Sequence, residues 1–139
     1  MIFLHMNYLN AFLNSFSQVF LIENRIFGLL IFASIAIIQP RMGLYSIIGV
    51  ATSFPMSLLL GIENSTFNAG IMGFNSVLIG VVAAVLIQKM DLAILATIIA
   101  SIAAILVQFL AMKHKIPVYT GPFVLAALAI FFLKSYFKF

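Results

Sequence analysis

Ile116-Pro-Val-Tyr-Thr-Gly-Pro-Phe123 sets a polar, proline-bounded turn between two apolar runs of membrane-like length. Pro117 and Pro122 have no backbone N–H to donate. A helix entered near Thr120 therefore begins with free donors, and the carbonyls of Pro117, Val118 and Tyr119 lie beside it uncommitted. Irregular backbone at membrane depth survives only when it is buried in protein or lines a watery cavity, which makes this turn a candidate pore-lining segment. The alternative is a membrane-surface loop in which Thr120 simply caps the next helix.

The chain around this turn is 65% hydrophobic and 7% charged, with mean hydropathy +1.26. No soluble domain of 139 residues could hide so much apolar surface, so the sequence describes an all-α integral membrane protein, a single membrane domain over 1–139. Uncharged runs at 26–40, 42–62, 64–88, 92–112 and 116–133 stand against the roughly 20 residues that a helix needs to cross hydrocarbon. Five crossings follow, near 25–40, 42–61, 70–88, 91–112 and 119–137. The first is a little short and is completed by snorkelling of Arg25 and Arg41.

The uncharged N-terminal run, 1–22, differs in kind. Asn7, Asn10, Asn14 and Gln18 fall on one face of a helix, while Leu9, Phe12, Leu13, Phe16 and Phe20 take the other. Such a stripe suits an amphipathic, re-entrant helix better than a lipid-facing span. The competing reading is that these amides only glue the helix to a neighbour. With no basic leader ahead of it and no small-residue cleavage site, this segment is expected to be retained.

Within the second span Pro55 should kink the helix rather than end it, with Thr52 or Ser53 satisfying the freed carbonyl. Gly70, Gly73 and Gly80 allow close backbone approach in the third span, where Asn75 must find a partner if it lies at depth. Ala96, Ala100 and Ala104 repeat at the spacing of tight helix contacts. Glu23, Glu63 and Asp91 all flank spans, so nothing resembles a proton or sodium site.

With no cysteine, disulfides and thiolate metal sites are excluded. His5 and His114 are too far apart in sequence to suggest a metal or acid–base pair. There is no phosphate loop and no nucleophile–base constellation, so no cofactor and no enzymatic activity are expected. The net charge of +4 sits at helix ends, which fits lipid headgroups rather than nucleic acid.

Three motifs carry a resemblance. Asn14-Ser-Phe-Ser-Gln-Val-Phe20 followed by Asn24, Ala69-Gly-Ile-Met-Gly-Phe-Asn75 with Leu78, and Ile116-Pro-Val-Tyr-Thr-Gly-Pro-Phe123 together resemble, in order and spacing, one homologous half of the urea transporter family. That resemblance implies five spans plus a tilted re-entrant helix, one half of an inverted-repeat urea channel, with two halves enclosing a pore, usually within a trimer. It implies a pore lined by Gln18, Val19 and Phe20 on the re-entrant helix, Phe74 and Leu78 flanking urea, Thr120 at the narrow centre, and the Pro117, Val118 and Tyr119 backbone. The chain departs from the family pattern at Leu21, where an aromatic is common. Either Phe20 supplies that wall or Leu21 leaves a wider opening.

Family members carry two copies in one chain, whereas this sequence holds one. An antiparallel homodimer repairs the deficit if each chain inserts both ways, and such dimers could assemble further into a trimer of dimers. Five spans put Arg25, Lys113 and Lys115 on one side and Arg41, Lys89, Lys134 and Lys138 on the other. So small a difference gives almost no positive-inside bias, and dual topology is permitted. The expected activity is passive urea conduction in a cell membrane, the inner membrane if the source is bacterial. Two rivals stand beside it: a dual-topology channel or exporter for another small solute such as ammonia, water or short amides, and a structural half that needs a different partner.

Overall fold

The computed structural model describes residues 7–117 and 119–138, and among them every regular element is helical. In chain order these are α1 (Tyr8–Ser17), running into a 3-10 turn (Gln18–Phe20), α2 (Arg25–Ile38), α3 (Pro40–Leu60), the short α4 (Asn64–Asn68), α5 (Phe74–Leu86), α6 (Met90–Lys113) and α7 (Gly121–Phe137).

Two asparagines start the first two helices. The Asn7 side chain accepts from the Asn10 N–H at 3.0 Å, and that of Asn24 accepts from Phe27 at 3.1 Å, each closing an orphan donor of a first turn. Between them Leu21 takes a left-handed φ of 60°, and the chain turns so that the pair α1/α2 is bent by 81°. The amphipathic helix therefore does not continue straight into α2. Its inner face packs Phe16 against Phe12 and against Phe32 of α2, with ring centroids 5.3 and 5.1 Å apart.

By length and composition α3 and α6 are each able to cross a membrane, and the bent α1/α2 pair counts as a third candidate. The apolar helices α5 and α7 are shorter, at 13 and 17 residues. At 1.5 Å per residue α5 reaches only about 20 Å of a roughly 30 Å hydrocarbon layer. The expected span 70–88 is thus helical only from Phe74. Gly70 has a φ of 79°, outside the helical region, and residues up to Gly73 form turns.

Other expectations need adjustment. Pro40 opens α3 instead of merely closing α2, because its fixed φ and missing N–H suit a first helical turn. The helix runs on through Pro55, but the Thr52 and Ser53 hydroxyls donate to the carbonyls of Ile48 and Val50, so neither serves the Ala51 carbonyl that proline frees. Ala104 is buried, whereas Ala96 and Ala100 line an open apolar groove of about 360 Å³ between α6 and α7. Steps of four overshoot the helical repeat, so the row drifts around the helix. Arg41 does not snorkel freely: its guanidinium donates to the carbonyls of Ile87 and Gln88 just past α5, and to the Tyr45 hydroxyl at 3.2 Å. A cation placed there also favours the negative end of the α5 dipole.

The α3–α5 crossing holds the bundle together. A Cβ built on Gly80 would lie 2.4 Å from the Tyr45 carbonyl oxygen, and one on Gly49 would lie 2.4 Å from that of Ser76. Both obstacles are backbone, which cannot swing aside. Gly80→Ala is therefore expected to destabilise: overpacking costs about 1–3 kcal/mol, against about 0.5–1 kcal/mol gained from helix propensity. A lower unfolding midpoint in detergent is the result to look for. An unchanged midpoint would mean that the two helices are not in backbone contact.

Candidate functional site

The N-terminal amide stripe docks on the turn that precedes α5. Asn14 Nδ2 donates to the Asn68 carbonyl at 2.8 Å, and Gln18 Nε2 donates to the Ala69 carbonyl at 3.0 Å. Asn10 Oδ1 instead accepts from Arg25 at 3.0 Å. The glue reading of the stripe is therefore correct for these amide N–H groups. Gln18 remains half-buried, and its Oε1 has no partner among the described residues. One end of this side chain is fixed while the other is available to a solute.

Beyond Gln18, the residues Val19, Phe20 and Leu78 come together in an open apolar groove of about 470 Å³ that Phe27 and Ile31 also line. Phe20 is 60% exposed, and its ring sits edge-on to Phe27 at 5.8 Å. Leu21, equally exposed, is the left-handed residue that ends the 3-10 turn. Phe74 differs from expectation. At 5% exposed it is packed inside the single chain, because it begins α5 where the turn tucks against α1. It offers little ring face to a solute at the surface of one copy, whereas the Phe20 ring is exposed.

The turn at 116–120 is held from α5. Asn75, 1% exposed, donates from Nδ2 to the Tyr119 carbonyl and to Gln108 Oε1, both at 3.2 Å, and its Oδ1 accepts from the Phe123 N–H at 3.1 Å. Gln108 completes the set by donating from Nε2 to the Ile71 carbonyl at 2.7 Å. Two consequences follow. The third residue of α7 is capped by Asn75 from another helix, and Thr120 makes no side-chain cap. The half-buried Thr120 hydroxyl accordingly has no partner among the described residues, and the simple capping role does not apply to it. The Tyr119 carbonyl is committed to Asn75, and the residue itself takes a left-handed φ of 47°. The expected run of free backbone carbonyls therefore loses Tyr119 and keeps the exposed Pro117, while Val118 lies outside the described residues.

No hydrogen bond joins Gln18 to Thr120 among the described residues. The start of α5 links them: Ala69, in the turn before the helix, holds Gln18, and Asn75, in its first turn, holds the Thr120 turn. Asn75 was legible as an amide in need of a partner. Gln108 was not singled out, although a lone amide inside the apolar run 92–112 is the same signal. His114 lies exposed at the end of α6, and His5 is outside the described residues. Glu23, Glu63 and Asp91 are all exposed. Chemically, the groups without a hydrogen-bond partner here are a neutral amide oxygen at Gln18 and a hydroxyl at Thr120, and an exposed ring at Phe20 lines a separate apolar groove; none of them carries a charge.

Comparison with known proteins agrees in kind. The family model described as "UT: Urea transporter" matches residues 9–139. Urea transporter 1 of Rattus norvegicus is 33% identical over 86 residues, covering 62% of this chain and 22% of the rat protein. The protein of the same name from Mus musculus is 31% identical over 86 residues with the same coverage, and that from Ovis aries is 32% identical over 77 residues, 55% of this chain and 20% of the sheep protein. The chain thus matches about a fifth of the length of these curated relatives. A match across nearly the whole sequence, on an all-helical apolar fold built around the three quoted motifs, places the chain in the urea transporter family.

Proposed function

We propose that the chain conducts urea passively across a cell membrane through a pore of which it supplies one half. The carrying observation is that Gln18 Oε1 and the Thr120 hydroxyl have no hydrogen-bond partner among the described residues, while the Gln18 side chain is tethered through Nε2 to the Ala69 carbonyl and the residue before Thr120 is held through its carbonyl by Asn75 of α5. In this reading 1–139 is one membrane domain with five crossings, α2, α3, α5, α6 and α7, and α1 with its 3-10 turn is the re-entrant helix. The turns before α5 and α7 extend those two short helices across the layer, which is tolerated because the turns are buried in protein or line the path.

Urea is planar and neutral, with two amide groups that lose water on entry and need acceptors in its place. Gln18 Oε1, Thr120 and the Pro117 and Val118 carbonyls supply them, while Phe20 and Leu78, with Val19 behind, face the plane of the solute. Leaving one buried donor unpaired costs about 1–3 kcal/mol, so each acceptor is worth roughly tenfold to a hundredfold in occupancy. The second half of the pore comes from an identical, inverted chain related by a two-fold axis in the membrane plane, and such dimers assemble further as trimers. Transport proceeds without enzymatic chemistry or a cofactor.

Proteoliposomes holding only this chain test the reading. Rapid urea flux, well above that of glycerol, is the expected result. Equal urea and glycerol flux would sink selectivity and point to another small solute. Absence of any flux would favour a half that needs a different partner, a reading to which the short match against much longer relatives lends weight.

A further inference from the structure

We propose that Asn75 and Gln108 are positioning residues that set the narrow point of the pore, by fixing which way the 119–120 peptide faces. The inference rests on the proposed urea path. Asn75 commits both amide hydrogens and its oxygen: to Gln108, to the Tyr119 carbonyl and to the Phe123 N–H. Gln108 answers with its own carbonyl and reaches across to Ile71. The two side chains are 1% and 4% exposed, so water does not compete for these bonds.

The pair thereby joins the two breaks in the bundle. Ile71 lies in the turn before α5, Tyr119 in the turn before α7, and Phe123 in the first turn of α7 itself. Tyr119 is held at φ 47°, a conformation disfavoured for a residue with a side chain, so something must hold it there. The amide of Asn75 does so by drawing the Tyr119 carbonyl inward. With that carbonyl committed to Asn75, the hydroxyl of the next residue makes no cap to α7 and has no partner among the described residues. Without the pair, the 119–120 peptide is free to rotate, and Thr120 is free to turn back and cap α7 as threonines at this position commonly do. Selectivity at the narrow point then falls even though every pore-lining side chain is still present.

The chain contains no cysteine, so Thr120→Cys gives a single reporter thiol. Its rate of maleimide labelling in liposomes is read in three backgrounds: otherwise unchanged, Gln108→Met, and Asn75→Leu with Gln108→Met. The double variant removes both side-chain amides together, so neither is left buried facing an apolar replacement of the other; the Phe123 N–H and the Tyr119 and Ile71 carbonyls lose their partners, so its unfolding midpoint is measured alongside. Ser101→Ala, at a buried hydroxyl that has no partner among the described residues, serves as a control for core substitution. The hub variants are expected to change the labelling rate by about threefold or more, the scale of one lost buried hydrogen bond, with the control unchanged. In chains that keep Thr120, the same hub variants should lower the ratio of urea to acetamide flux while Ser101→Ala does not. Labelling and flux ratio both at the original values in a folded double variant would overturn the proposal. If the original chain carries no urea, the proposed path fails, and the labelling arm still decides whether the pair positions Thr120.

Discussion

Fixing every copy of the chain in one orientation is expected to abolish urea flux, and mixing two oppositely fixed populations is expected to restore it. The charge balance makes the experiment direct. In the proposed five-crossing arrangement, Arg25, Lys113 and Lys115 on one side nearly match Arg41, Lys89, Lys134 and Lys138 on the other. Replacing Lys113 and Lys115 with glutamine leaves Arg25 alone against four cations, whereas replacing Lys89, Lys134 and Lys138 leaves Arg41 alone against three. Orientation follows the lysine and arginine imbalance of short loops, so each variant set should insert one way, and in opposite senses. Arg41 is spared because it holds the carbonyls at the end of α5. The side chains of the altered lysines make no hydrogen bond among the described residues, and their backbone bonds survive the substitution, so a loss of flux would not come from unfolding. Protease protection reports orientation, and proteoliposome shrinkage reports flux. Full conduction by either fixed population alone would overturn inverted pairing and turn attention to a different second half.

Much of this architecture can be read from hydropathy, and the parts that cannot are instructive. The α3 and α6 runs were legible because an apolar stretch of sufficient length has one stable fate in a membrane. The α5 break was not. The segment 70–88 is uninterrupted in hydropathy, and what ends the helix is the positive φ of Gly70, which hydropathy does not record. The amide stripe set α1 apart from the apolar runs, and the helix does meet α2 at a bend of 81°, but the sequence could not say that Asn14 and Gln18 would spend their N–H groups on neighbouring carbonyls. Thr120 was located by the prolines around it, yet its freedom depends on Asn75, a residue 45 positions away that caps α7 in its place. Phe74 shows the reverse case. The motif identified it, but burial inside one chain is a tertiary outcome that spacing does not carry.

Thr120→Val is expected to slow urea flux about tenfold while leaving the unfolding midpoint and the proposed inverted pairing intact. The substitution preserves shape and removes only the hydroxyl, and that hydroxyl makes no bond within the fold among the described residues. Gln18→Leu should slow flux further, toward a hundredfold, because it removes both the free acceptor and the tether to Ala69 that aims it. Part of that second loss is therefore positional, and a modest fall in stability should accompany it, as the Ala69 carbonyl loses a bond worth about 0.5–1.5 kcal/mol. Thr120→Ser separates the terms: it restores the hydroxyl without the methyl group and should recover most of the flux. The three rates and midpoints together locate the path. If Thr120→Val conducts urea at the original rate with the fold unchanged, the solute does not pass this hydroxyl, and the narrow point lies elsewhere along the Val19, Phe20 and Leu78 groove.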